Sequence, residues 1–152
     1  MSIVWALVAD RSRAKIFHAV EEAQPYFTLL AGFEFPEGRQ LAQEAESDSP
    51  GRIQLRGASR SATEPHTDRA HQSALQFAGD LLKYLNGACR EGRFDKLFII
   101  APPLFLGTLR GLYEPQLKKR IVLEVDKDLT GLHESELQRR LAELVQTAPL
   151  VN

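Results

Sequence analysis

Two short, almost uninterrupted apolar runs constrain this fold most: Ile3–Ala9 (I-V-W-A-L-V-A) and Leu97–Ala101 (L-F-I-I-A). Each is shorter than an ordinary helix, and neither alternates between polar and apolar residues. A strand of this kind is apolar on both faces, so it belongs inside a sheet that is covered on both sides. Helix layers are the usual cover, which points to an α/β architecture.

The remaining segments fit that frame. Ala14–Val20 reads as a second strand, with Ile16 and His18 on one face and Lys15, Phe17 and Ala19 on the other. Tyr26–Phe35, led in by Pro25, reads as a third, and the short connections favour an antiparallel meander. From about Thr67 to Arg90, Ala70, Ala74, Ala78, Leu81, Leu85 and Ala88 recur at helical steps, and Leu75, Leu82 and Cys89 widen the stripe. Thr67 or Asp68 suits the N-cap and Gly92 the C-terminal stop. Pro102-Pro103 opens a short helix through Leu112, because a first helical turn tolerates the missing N–H. Ile121–Val125 is the last strand. A final helix over Glu134–Gln146 turns Leu137, Leu141, Leu144 and Val145 inward. Alternation of strand and helix predicts that the later strands are parallel neighbours joined by right-handed crossovers. The fold class expected is a single α/β domain, with about five strands in a mixed, partly parallel sheet covered by helices.

At 152 residues, 43% hydrophobic and 26% charged, the chain can bury one core and does not have the composition of a disordered protein. A formal net charge of −1 argues against wholesale binding to nucleic acid or a membrane surface, while leaving room for local basic patches. Cys89 is the sole cysteine, so no intrachain disulfide forms. No charged-then-apolar leader opens the sequence and no apolar run is long enough for a bilayer. Cytoplasmic residence without membrane association is expected.

Standard catalytic signatures are absent: no Gly-x-Gly-x-x-Gly, no phosphate-binding Gly-x-x-x-x-Gly-Lys and no Gly-x-Ser-x-Gly turn. Cys89 lies on an apolar stripe and reads as a buried thiol. His66 and His71, near Glu64 and Asp68, have a spacing seen in zinc sites but lack a second ligand pair, so neither metal nor cofactor is expected. His18 reads as a packing residue. Two groups of residues are candidates for binding. Ligands of open α/β sheets sit beyond the carboxyl ends of strands, where Asp10, Arg13, Arg110 and Lys127 could converge to hold a phosphate or carboxylate, or pair among themselves. The second group lies in a long segment, residues 36–66, without periodicity. It is acidic at Glu44, Glu46 and Asp48, then basic at Arg52, Arg56 and Arg60, a four-residue spacing that suits a polyanion such as RNA.

Three blocks together resemble the bacterial host-attachment protein family, named for a requirement in attaching bacteria to host cells. They are W-A-L-V-A-D-R-S-R-A-K-I-F (Trp5–Phe17), E-G-R-F-D-K-L-F-I-I-A-P-P-L-F-L-G-T-L-R (Glu91–Arg110) and V-D-K-D-L-T-G-L (Val125–Leu132). That family is in turn similar to the middle domain of archaeal and eukaryotic peptide release factors, where a loop before a long helix carries a Gly-Gly-Gln tripeptide that promotes peptidyl-tRNA hydrolysis. The 36–66 segment holds the corresponding place but has no Gly-Gly-Gln, so release-type hydrolysis is not expected. The family label carries no reaction; with no recognisable nucleophile, metal set or nucleotide loop in the α/β core, the leading expectation is a non-enzymatic member that binds a macromolecule and influences attachment indirectly. Contact with ribosomes or tRNA is the alternative, and a small-molecule enzyme or phosphate sensor at the strand ends is a third.

Overall fold

Seven residues from Ile3 to Ala9 form β1, and all but Ile3 are buried, as a central strand requires. In the computed structural model, which describes residues 2–35 and 60–147 (side chains 2–35 and 69–147), β1 is followed by β2 (Arg13–Val20), β3 (Thr28–Glu34) and the long helix α1 (Arg60–Arg90). The chain continues through β4 (Lys96–Ile100), α2 (Pro103–Arg110), α3 (Pro115–Arg120), β5 (Ile121–Val125) and α4 (Glu134–Thr147). The sheet order is β3-β2-β1-β4-β5. β1–β2 and β2–β3 are antiparallel, and β1–β4 and β4–β5 are parallel. The expected meander and parallel crossovers are both present.

Alternation along the strands sorts the core into two layers. Trp5, Leu7, Ala9, Ala14 and Ile16 meet α1 through Phe77, Ala78, Leu81, Leu82 and Leu85, joined by Leu106 and Leu109 of α2 and Leu117 of α3. Val4, Ala6, Val8, Phe17 and Ala19 meet Leu137, Leu141 and Val145 of α4 on the other side. The inward stripe of α1 differs from the sequence reading in two places: Phe77 is buried and Leu75 is 44% exposed. An aromatic at position 77 fills the space beside Phe35 and Phe105, with ring centroids 5.6 and 6.2 Å away, and the stripe rotates toward it.

The helix also starts earlier, at Arg60 rather than near Thr67. Pro65 lies within it, where close to the amino end its missing N–H removes a single ladder bond. At the other end Gly92 takes φ +71°, while its N–H reaches the Cys89 carbonyl and the Arg93 N–H reaches that of Ala88. That reversal needs a residue without a Cβ. The short helix α3, unforeseen from sequence, opens on Pro115 after an extended Glu114. Asn86 of α1 ties this turn down, donating to the Leu112 carbonyl (3.4 Å) and accepting from the Glu114 N–H (3.3 Å).

Candidate functional site

β1, β3, β4 and β5 run in one direction, so their carboxyl ends share a rim with the start of β2. Asp10 organises the part of that rim next to β1. Its Oδ1 accepts from the Ser12 N–H (2.8 Å), the Ser12 hydroxyl (3.2 Å) and the Arg13 N–H (2.9 Å), closing the tight β1–β2 connection. The Asp10 N–H donates to the Arg13 carbonyl at 2.9 Å. Asp10 Oδ2 accepts from the Thr130 hydroxyl at 3.1 Å and faces Arg13 Nε at 3.5 Å. Thr130 is held in turn by Asp128, whose Oδ1 takes the Thr130 N–H at 3.0 Å and also lies within reach of its hydroxyl. That hydroxyl has one proton for two carboxylates, so it donates to one at a time. Asp10 thereby ties the first hairpin to the segment between β5 and α4, across 120 residues of sequence.

Beside this network is an open cavity of about 450 Å³, lined by Val8, Arg13, Lys15, Gly32, Glu34, Thr130 and Leu137. Its composition follows from topology. α4 covers the centre of the sheet, Phe17 and Ala19 of β2 included, and among the described residues Lys15 and its cross-strand partner Gly32 form the open floor beyond it. Gly32 adds no side chain there. Arg13 pairs in register with Glu34, which places opposite charges at one wall, and Val8 and Leu137 supply the apolar part.

The four residues expected to converge at the rim are divided among three places. Asp10 and Arg13 are together, as described. Arg110, at the end of α2, instead grips Glu124 of β5 through Nε (2.8 Å) and Nη2 (2.7 Å), and the Tyr113 hydroxyl donates to the other Glu124 oxygen at 2.8 Å. Partial burial pushes the Glu124 carboxyl up, but the bonds from Arg110 and Tyr113 outweigh it and hold the group below the ordinary value. Burial, reinforced by the bond to Glu124, raises the Tyr113 hydroxyl well above the ordinary range. The bond and charge of Glu124 raise Arg110 in the same way. Lys127 lines a separate hollow of about 240 Å³ with Arg140, Glu143 and Thr147. Among the described residues, no hydrogen bond or ion pair joins Arg110 or Lys127 to Asp10 or Arg13.

Arg52 and Arg56 lie outside the described residues, as does most of the 36–66 segment; Arg60 is the first residue of α1. Cys89 is buried, 8% exposed. His71 is exposed, His66 has no described side chain, and among the described residues no three His, Cys, Asp or Glu side chains are grouped as a metal site. Lys15, Glu34 and Thr130 were missed as site residues. The register that brings them together is a property of strand pairing, which local sequence does not display.

A family model described as protein required for attachment to host cells matches residues 5–141. The chain belongs to that family. No curated protein matches this host-attachment family member. Among solved structures, the type II variant of the Ppx/GppA phosphatase of Aquifex aeolicus is similar to it, at 11% identity and a TM-score of 0.44. That match covers 82% of this chain and 35% of the phosphatase, so the chain spans about a third of its length. Neither match is to a release factor, and the expected likeness to those middle domains rests on the sequence resemblance alone. Among the described residues of this family member, no helix is long and apolar enough to cross a membrane.

Proposed function

We propose that this host-attachment family member acts without catalysing a reaction, by binding a macromolecular partner at the strand-end rim, and that its part in attachment is indirect and cytoplasmic. The observation that carries this reading is the open cavity beside Asp10, where Arg13, Lys15, Glu34 and Thr130 stand beside the apolar Val8 and Leu137. Such a surface has both signs of charge for orientation and apolar area for affinity, as binding surfaces generally do. Asp10 and Thr130 are occupied with each other and with the backbone, a state suited to holding a rim rigid. The partner's contacts would fall on Lys15, Arg13 and Glu34.

A photo-crosslinking amino acid placed at Lys15, with a second chain carrying it at exposed Lys83 of α1, tests the reading in living cells. The expected result is a discrete, nuclease-resistant adduct from position 15 that position 83 does not give, weakened about tenfold or more by Arg13→Glu. An adduct destroyed by nuclease would instead favour the ribosome- or tRNA-binding reading, in which Arg52, Arg56 and Arg60 would add steeply salt-dependent contacts. Equal labelling at both positions, or none at either, would sink the rim as the binding surface.

A further inference from the structure

We propose that the hollow between the start of α2 and α1 is a docking site for an acidic peptide segment of a protein partner, taking one large apolar side chain with a carboxylate beside it.

The feature begins with Leu104. Pro102 is extended (φ −61°, ψ 155°) and Pro103 opens α2, so the helix leaves the carboxyl end of β4 in a fixed direction. That direction buries Phe105, Leu106 and Leu109. Leu104 is left 90% exposed, more than any other large apolar side chain among the described residues. A lone exposed leucine is ordinary, but this one lines a hollow of about 230 Å³ together with Ala74 of α1 and Phe105 and Thr108 of α2. The Thr108 hydroxyl donates to the Leu104 carbonyl at 3.2 Å, so its proton is spent on its own helix. Volume narrows the choice of occupant. Pockets for drug-sized ligands run to about 300–1,000 Å³, and a helix lying in a groove sets several side chains into it. A space of about 230 Å³ suits one large side chain.

Charge specifies what accompanies that side chain. Arg11 and His71 also line the hollow, and both are exposed. No carboxylate lines it, and among the described residues no ion pair holds either of them. Arg11 brings a permanent positive charge and a fork of N–H donors, and His71 brings an imidazole N–H. A carboxylate next to the apolar anchor answers both. The backbone that carries Arg11 is fixed, because Asp10 accepts from the N–H groups of the two residues after it, Ser12 and Arg13. Buried anchors supply most of the affinity of such contacts, and exposed charges at their margin supply orientation. The hollow belongs to the α1–α2 side of the sheet, with Phe105, whereas the Lys15 cavity belongs to the α4 side, with Leu137. Arg11 and Arg13 thus leave one turn to serve opposite sides, and neither site needs the other.

The test uses the full chain and three short fluorescent peptides, read by anisotropy. One has a phenylalanine among aspartates, the second has lysines for the aspartates, and the third has alanine for the phenylalanine. The acidic phenylalanine peptide should bind at least about tenfold more tightly than the other two, and rising salt should weaken it. Arg11→Glu and Leu104→Asp should each weaken it about tenfold, while Lys83→Glu, further along α1, should not. Both substituted side chains are exposed, and an aspartate suits the first turn of a helix, so the unfolding midpoint should stay at the wild-type value. A photo-crosslinking residue at position 104 should capture the acidic peptide, and one at position 15 should not. Equal affinity for the three peptides, affinity indifferent to both substitutions, a preference for a single-stranded oligonucleotide over the acidic peptide, or a crosslink from position 104 to a second copy of the chain would each overturn the proposal. None of those results would alter the position-15 crosslink in cells, so the rim reading stands or falls separately.

Discussion

Asp10 accepts four hydrogen bonds, three from the turn that follows it and one from Thr130. Bonds to an ionised acceptor contribute about 1.5–3 kcal/mol each in isolation but do not add within one network. Asp10→Ala should therefore destabilise the chain by about 2–3 kcal/mol in urea unfolding, and Asp10→Asn, which keeps one acceptor oxygen, by about half as much. If Asp10→Ala unfolds at the wild-type midpoint, the residue does not hold the rim. Glu124 makes a different prediction, through pH. Its folded-state value lies below the ordinary 4.5, so the stability it contributes is complete above that value and is lost as pH falls through the lower, folded one. Tyr113 is shifted upward, so its contribution is present below the ordinary value of 10 and declines at higher pH. Comparing unfolding midpoints of wild type and Glu124→Gln between pH 3 and 7 isolates the acid limb from the other carboxylates. The gap between the two should narrow as pH falls, and a constant gap would contradict the assignment. That Glu124 would meet Arg110 was hidden in the sequence, because the two lie on different elements.

α1 shows how far periodicity reaches. The positions read as inward from three- and four-residue steps, Ala78, Leu81, Leu85 and Ala88, are buried, because α1 packs on one face of the sheet, which selects one stripe. Leu75 was assigned inward on hydrophobicity and is 44% exposed, whereas Phe77 is 2% exposed. An aliphatic residue at the margin of a stripe does not reveal its side, since that depends on neighbours from α2 and β3. Leu81→Ala should cost about 3 kcal/mol through lost burial and a residual cavity, and Leu75→Ala should stay within about 0.5 kcal/mol. Two glycines give a second contrast. Around Gly79 an added Cβ would meet nothing within 4 Å, and the same is true at Gly92, but only Gly92 has a positive φ, +71°. Gly79→Ala should thus stabilise the chain by about 0.5–1 kcal/mol as an interior helix position, and Gly92→Ala should destabilise it by about 1 kcal/mol. Thermal or urea unfolding of the pair separates backbone strain from packing, since the space available is the same.

At the scale of the whole molecule, burial was legible in the sequence and adjacency was not. Ile3–Ala9 and Leu97–Ala101 announce central strands by being apolar on both faces, and they are neighbours, β1 beside β4. Nothing local says that β5 rather than β1 ends the sheet, or that Lys15 faces a cavity with Thr130. Both follow from the order β3-β2-β1-β4-β5, which gives the rim cavity to β2 and β3 and places the Arg110–Glu124–Tyr113 cluster on β5, with two strands between them. The two should then be separable. Arg13→Glu should leave the acid limb set by Glu124 unchanged, and Glu124→Gln should leave the position-15 crosslink in place. Loss of the crosslink in Glu124→Gln would mean that the binding surface extends across the sheet to β5.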